Sequence, residues 1–82
     1  MDKTVLFDVA EFKKEVISKT LKEVYNSLEL RGYNPINQIV GYIISGDPGY
    51  ISSYKDARKK IQTIERTKII EVLLDNFQGK KK

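Results

Sequence analysis

The sequence contains no cysteine, no histidine and no tryptophan. Without cysteine the chain forms neither a disulfide nor a thiolate metal site. Without histidine it lacks the commonest general base and the commonest metal ligand. No apolar run approaches the roughly 20 residues of a transmembrane helix, and the N-terminus lacks the pattern of a secretory signal. We therefore expect a cytoplasmic protein without a disulfide framework.

The length of the chain limits the core that it can build. A chain of 82 residues corresponds to one domain. A domain of this size buries roughly 60–65% of the surface that its unfolded chain exposes. Burial of further apolar surface between two copies would add stability. The length alone therefore favours a homo-oligomer.

The net charge of +4 comes largely from three lysines, Lys80–Lys82, at the end of the chain. Without them, 12 basic side chains face 11 acidic ones. Lys55, Arg58, Lys59 and Lys60 form a second basic cluster, at the start of the predicted third helix. Because nucleic-acid binding needs a basic face on the folded body, a small basic nucleic-acid-associated protein is an alternative rather than the first interpretation.

Helical spacing of apolar residues recurs along the chain. Asp8 and Glu11 resemble a capping box that begins a helix ending near Leu30, with Gly32 as its stop. The apolar residues of this helix are Phe12, Val16, Leu21, Val24 and Leu28, with Ile17 and Tyr25 beside them. Asn34 and Pro35 cap a second helix that Gly46 ends.

The second helix is apolar over much of its circumference, so it is predicted to be central or at a subunit interface. Its interior glycine, Gly41, costs about 1 kcal/mol relative to alanine, which indicates close approach of another helix. We expect a homodimer, without deciding which apolar face forms it. The candidate dimer or partner interface comprises Ile36, Ile39, Val40, Gly41, Tyr42, Ile43, Ile44 and Tyr50.

The last third of the chain predicts two more helices. Asp47–Gly49 reads as a turn or a very short helix, and Ser53 with Asp56 as the cap of a third helix. A shift in apolar phase puts a break near Thr67, the predicted N-cap of a fourth helix that Gly79 stops. The fold class is all-α, a small bundle of about four helices. Its parts are a mobile N-terminal segment (1–8), a helical domain (9–78) and a basic tail (79–82).

No catalytic site is evident in the sequence. Asp47 and Asp56 are explained by capping, and no carboxylates have the spacing of metal ligands. No loop resembles a phosphate-binding loop. Function must be argued from a site, so we expect no enzyme, no metal and no cofactor.

The middle of the chain resembles one family. The stretch Gly-Tyr-Asn-Pro-Ile-Asn-Gln-Ile-Val-Gly-Tyr (32–42), Gly46-Asp47-Pro48, Tyr50-Ile51, Asp56-Ala57-Arg58 and Glu65-Arg66 is similar to the IreB family of small regulatory phosphoproteins of Gram-positive bacteria. The resemblance implies a helical, homodimeric, non-enzymatic protein. It also implies that a transmembrane Ser/Thr kinase and a partner phosphatase act on it in cell-envelope stress signalling.

The resemblance places the phosphorylation site in the N-terminal segment. The family's target threonines lie there, and Asp2-Lys3-Thr4 with Phe7 matches the pattern, so Thr4 takes the role of phosphoacceptor. A phosphate would add about −1.5 to −2 charge to the segment and would tune binding to a downstream protein. The sequence identifies neither that partner nor the direction of the switch. A structural dimeric adaptor without regulation through Thr4 is a further alternative.

Overall fold

The computed structural model describes residues 9–79, which form four α-helices and no strand. The helices are α1 (Val9–Leu30), α2 (Pro35–Ser45), α3 (Ala57–Gln62) and α4 (Arg66–Phe77). Two short 3₁₀ helices lie between α2 and α3, the first at Pro48–Tyr50 and the second at Tyr54–Asp56. The predicted all-α class with four helices is confirmed. Thr4, Asp8 and the tail lysines lie outside the described residues.

Helix α1 is the scaffold of the bundle. At 22 residues it is about 33 Å long, and α2, α3 and α4 all contact it. It ends in a Schellman motif: Gly32 has a φ of 92°, its N–H donates to Glu29 O, and the Tyr33 N–H donates to Leu28 O. The predicted stop at Gly32 is therefore confirmed.

The core gathers beside the C-terminal half of α1. Its members come from all four helices and from the segments before and after α3: Leu21, Val24, Leu28, Tyr42, Ile51, Ala57, Ile61, Ile64, Ile69 and Val72. Ile17, Ile39 and Ile43 pack against it, partly buried. By contrast, Phe12 and Val16 of the predicted α1 stripe are 50% and 47% exposed. The described helices cover α1 well only over its second half.

The predicted starts of α3 and α4 are wrong in detail. Ser53 makes no capping hydrogen bond, and the chain turns through positive φ values of 51° at Lys55 and 61° at Asp56 before α3 begins at Ala57. Helix α4 begins at Arg66 after an extended Glu65, which places Thr67 inside its first turn. Buried Ile64 donates its N–H to Ile61 O and closes α3, so the restart comes earlier than the change in apolar phase suggests.

Candidate interaction surface on the second helix

Capping residues determine where helix α2 begins, and the start of the helix determines which of its side chains face outward. The Asn34 side chain accepts a hydrogen bond from the Asn37 N–H at 3.1 Å, and Pro35 occupies the first helical position. Proline suits that position because its missing N–H would have no partner within the helix. Both predicted caps are confirmed, since Gly46 ends the helix with a φ of 76°.

The outward positions form a line of aliphatic side chains, which we term the α2 stripe: Ile36, Val40 and Ile44. They are 59%, 46% and 77% exposed, and they follow one another at intervals of four residues. Residues four apart lie next to one another on a helix, so the stripe is a continuous apolar ridge. The opposite side of α2 carries Tyr42, which is buried in the core. The helix therefore has two apolar faces, of which the core uses one.

Tyr50 widens the stripe by packing on Gly41. A Cβ atom at Gly41 would lie 2.5 Å from Tyr50 Cδ1, so only glycine leaves room for the ring. The close neighbour that the sequence predicted at Gly41 is therefore the Tyr50 side chain, which belongs to the first 3₁₀ helix, and not another α-helix. Tyr50 is 51% exposed, and its ring presents aromatic surface beside the stripe.

Polar contacts hold the loop that carries Tyr50. The Asp47 side chain caps the first 3₁₀ helix by accepting from the Gly49 N–H at 2.8 Å. Gln38 Oε1 on α2 accepts from the Ser52 N–H at 2.9 Å, across 14 residues of sequence. Arg58 Nε on α3 donates to Ile51 O at 2.8 Å. Tyr50 is thus fixed from both sides by residues that precede and follow it.

Arg66 supports the C-terminal end of α2. Its Nη1 donates to Ile43 O at 2.8 Å, and its guanidinium lies against Gly46, where a Cβ would come within 2.9 Å of Cζ. A cation at this end of a helix also interacts favourably with the helix dipole. The contact joins α4 to α2, two elements that are 23 residues apart in sequence at these positions.

The eight residues predicted for the interface divide by exposure. Ile36, Val40, Ile44 and Tyr50 are exposed, whereas Ile39 and Ile43 pack against the core and Gly41 lies under Tyr50. Tyr42 is only 6% exposed and belongs to the core of the chain. The interface role of the exposed residues stays a prediction, and the α2 stripe with Tyr50 is the surface that the structure makes available for it.

Sequence reasoning missed a second exposed apolar face. On α4 the core takes Ile69 and Val72, and four apolar residues remain exposed: Ile70, Leu73, Leu74 and Phe77. The sequence signal was present as spacing, because these positions follow a helical period. Spacing could not tell which of two apolar faces on one helix meets the core.

The described residues contain no arrangement suited to metal binding, since residues 9–79 hold no group of three acidic side chains close enough for an ion. No helix within those residues has the length and apolar character that crossing a bilayer requires. The α2 stripe, Tyr50 and the exposed face of α4 instead form an apolar and aromatic contact surface. Such a surface can bind another protein chain.

Comparison with protein families gives a match over almost the whole chain. A family model described as "IreB regulatory phosphoprotein" matches residues 2–78. The chain belongs to the IreB family. The IreB match includes every described helix and also Thr4, and the family's description is that of a regulatory phosphoprotein, with no reaction in it. The resemblance inferred from the central stretch is thereby confirmed.

Proposed function

We propose that this regulatory phosphoprotein is a cytoplasmic homodimer whose Thr4 is phosphorylated by a transmembrane Ser/Thr kinase and dephosphorylated by a partner phosphatase. Its phosphorylation state tunes the binding of a downstream protein in cell-envelope stress signalling. The IreB family match over residues 2–78 carries the proposal, because it spans the threonine as well as the helices. The lack of cysteine suits the reducing cytoplasm.

Thr4 is the favoured acceptor because the other threonines lie within a helix or in the turn that ends one. Thr20 lies within α1, and the Thr63 hydroxyl donates to Lys60 O at 2.7 Å. Thr67 lies in the first turn of α4. A kinase that binds an extended substrate backbone would have to unfold a helix or a helix-ending turn to reach any of these three. Residues 1–8 have a side-chain charge of −1, so a phosphate there at least doubles the negative charge.

Phosphate mapping by mass spectrometry after incubation with the kinase tests the site. We expect modification of the parent chain at Thr4, its loss in Thr4→Ala, and normal modification in the matched control Thr67→Ala. Affinity capture with Thr4→Ala and Thr4→Glu then tests the switch, since the two forms should retain different partners. Phosphate mainly on a helical threonine would refute the assignment.

The α2 stripe is the proposed dimer surface. Replacing Ile44, which is 77% exposed, by glutamate would place a charge in an apolar interface without disturbing the monomer core. Sedimentation should show a dimer for the parent chain and a monomer for Ile44→Glu. Phe77→Glu is the matched control, because Phe77 is 86% exposed on α4 and should leave the dimer intact. The opposite pattern would move the interface to α4.

A further inference from the structure

An apolar groove lies on a different part of the molecule from the α2 stripe. It runs between the N-terminal half of α1 and the segment from Thr63 to Val72, with a volume of about 860 Å³. This is within the range of 300–1,000 Å³ that is typical of ligand pockets. Its apolar lining residues are Val9, Phe12, Val16, Ile17, Ile64 and Val72. Val9 and Val16 are 54% and 47% exposed, so the groove has apolar surface to offer an occupant.

We infer that this groove binds the chain's own N-terminal segment, residues 1–8, through the side chains of Val5, Leu6 and Phe7. The segment is covalently joined to the groove, because Val9 is both the next residue and a lining residue. Such a connection gives the segment a high effective concentration at the groove, which a separate partner would have to exceed. The three consecutive apolar side chains match the chemistry of the lining.

The segment is long enough to lie along the groove. The lining residues of α1 extend from Val9 to Thr20, a rise of about 16 Å along the helix. Eight residues in an extended conformation span at most about 26–29 Å. A chain that reverses direction before Val9 therefore reaches the far end of the groove with residues to spare.

The sequence around the start of α1 favours a contact between the segment and the groove. With Asp8 as the N-cap that the sequence predicts, Phe7 precedes the N-cap position and Phe12 is the fourth helical residue. Apolar residues at these two positions often pack on one another as a hydrophobic staple, which fixes the angle at which the preceding chain enters the helix. Phe12 is a lining residue, so a staple at this point would hold Phe7 against the lining of the groove.

The charges at the groove suit a segment that contains Asp2 and Asp8. The lining includes Lys13, Lys14 and Lys68 against Glu65 and Glu71. Lys14 is 2.7 Å from Asp75, whose hydrogen bond and charge raise the pKa of Lys14, and Lys68 is 3.5 Å from Glu71. Lys13 has no ion-pair partner among residues 9–79, which leaves its ammonium group for a carboxylate of the segment.

Docking has a consequence for regulation, and this part rests on the proposed function of Thr4. Thr4 immediately precedes the three docked residues, so a segment that is bound in the groove cannot present the extended backbone that a kinase must bind. Release from the groove and binding to the kinase then compete. Any change that empties the groove should accelerate phosphorylation.

A spin label on the segment tests docking without any kinase. The chain has no cysteine, so Lys3→Cys provides a single attachment point. With ¹⁵N-labelled, spin-labelled chain diluted into excess unlabelled chain, we expect strong broadening of the amide resonances of Thr20, Thr63 and Lys68, and none at Ile36 or Val40. Weak, uniform broadening would overturn the inference. Broadening seen only when spin label and ¹⁵N are on different chains would assign the groove to a second copy, which also overturns it.

Matched glutamate variants then separate the two proposals. Val16→Glu places a charge in the groove, whereas Ile44→Glu places one in the α2 stripe. Val16→Glu should abolish the selective broadening and raise the initial rate of Thr4 phosphorylation several-fold, while Ile44→Glu should change neither. Broadening that is lost without any change in rate would refute the regulatory part alone. If no phosphate enters Thr4 in any variant, the proposed function fails and the broadening still decides docking.

Discussion

The contact between Gly41 and Tyr50 predicts that Gly41→Ala destabilises the chain when Tyr50 is present and stabilises it when Tyr50 is replaced by alanine. Gly41→Ala raises the helix propensity of α2 and should stabilise an isolated helix by about 1 kcal/mol. In the folded chain, the new methyl group would lie 2.5 Å from Tyr50 Cδ1 and 2.9 Å from Cε1. Both are ring atoms, so the whole ring has to move.

Moving the ring costs more than the helix gains. Overpacking of this kind costs about 1–3 kcal/mol, so the net effect of Gly41→Ala should be a loss of about 1 kcal/mol. In a Tyr50→Ala background the obstacle is absent, and Gly41→Ala should stabilise by about 1 kcal/mol. The coupling energy between the two positions is then about 2 kcal/mol, within the range for residues in contact. Gly41→Leu should cost a few kcal/mol with Tyr50 present.

Urea unfolding followed by far-UV circular dichroism measures these changes, at one protein concentration because association would shift the midpoint. A slope of about 1 kcal/mol per molar urea makes the expected loss a fall of about 1 M in midpoint. The four chains of the cycle are the parent, each single variant and the double variant. If Gly41→Ala stabilises the chain equally with and without Tyr50, the ring does not pack on Gly41 and the reasoning is refuted.

Three further predictions concern contacts elsewhere in the chain. Arg66→Ala removes the hydrogen bond to Ile43 O and should lower the free energy of unfolding by about 1 kcal/mol, and Arg66→Lys should recover only part of that loss. If Arg66→Ala is as stable as the parent chain, the contact is contradicted. Asn34→Ala should lower the free energy of unfolding by about 1 kcal/mol in the same assay, whereas Asn34→Ser should retain most of the stability that the cap provides. Equal losses in the two variants would contradict the capping role of Asn34. Removing residues 80–82 should abolish most of any salt-sensitive nucleic-acid binding in a filter or anisotropy assay; sequence-specific binding that survives would favour the alternative function.

The sequence predicted helix ends well where neighbouring residues determine them. Gly32, Pro35 and Gly46 each specify a backbone conformation through their own covalent structure, and Asn34 does so through a hydrogen bond to a residue only three positions away. No distant contact was needed. The start of α4 was placed two residues late because Thr67 is a reasonable cap in isolation. The burial of Ile64 places the end of α3, and with it the start of α4, earlier in the chain. Burial is a property of the assembled bundle.

The candidate surface was predicted only in outline. The all-round apolar character of α2 indicated an interface, but the sequence could not separate Tyr42, which enters the core, from Ile44, which stays exposed. Both are apolar and only two positions apart. Which of the two side chains is buried depends on the direction from which α1 and the first 3₁₀ helix pack against α2. The groove beside α1 was missed for the same reason, since Phe12 and Val16 continue the apolar pattern of the buried residues.

The central stretch therefore contains residues of two kinds that experiment can separate. Gln38 and Gly41, with Arg66 from α4, hold the loop after α2 and the ring of Tyr50 in place. Ile36 and Ile44 contribute little to the core and form the exposed stripe. Substitutions of the first kind should lower the free energy of unfolding and weaken the proposed dimer only as a consequence. Substitutions of the second kind should weaken association while a dilute monomer unfolds as the parent does, because the loss of a stripe residue leaves every described contact of the core unchanged.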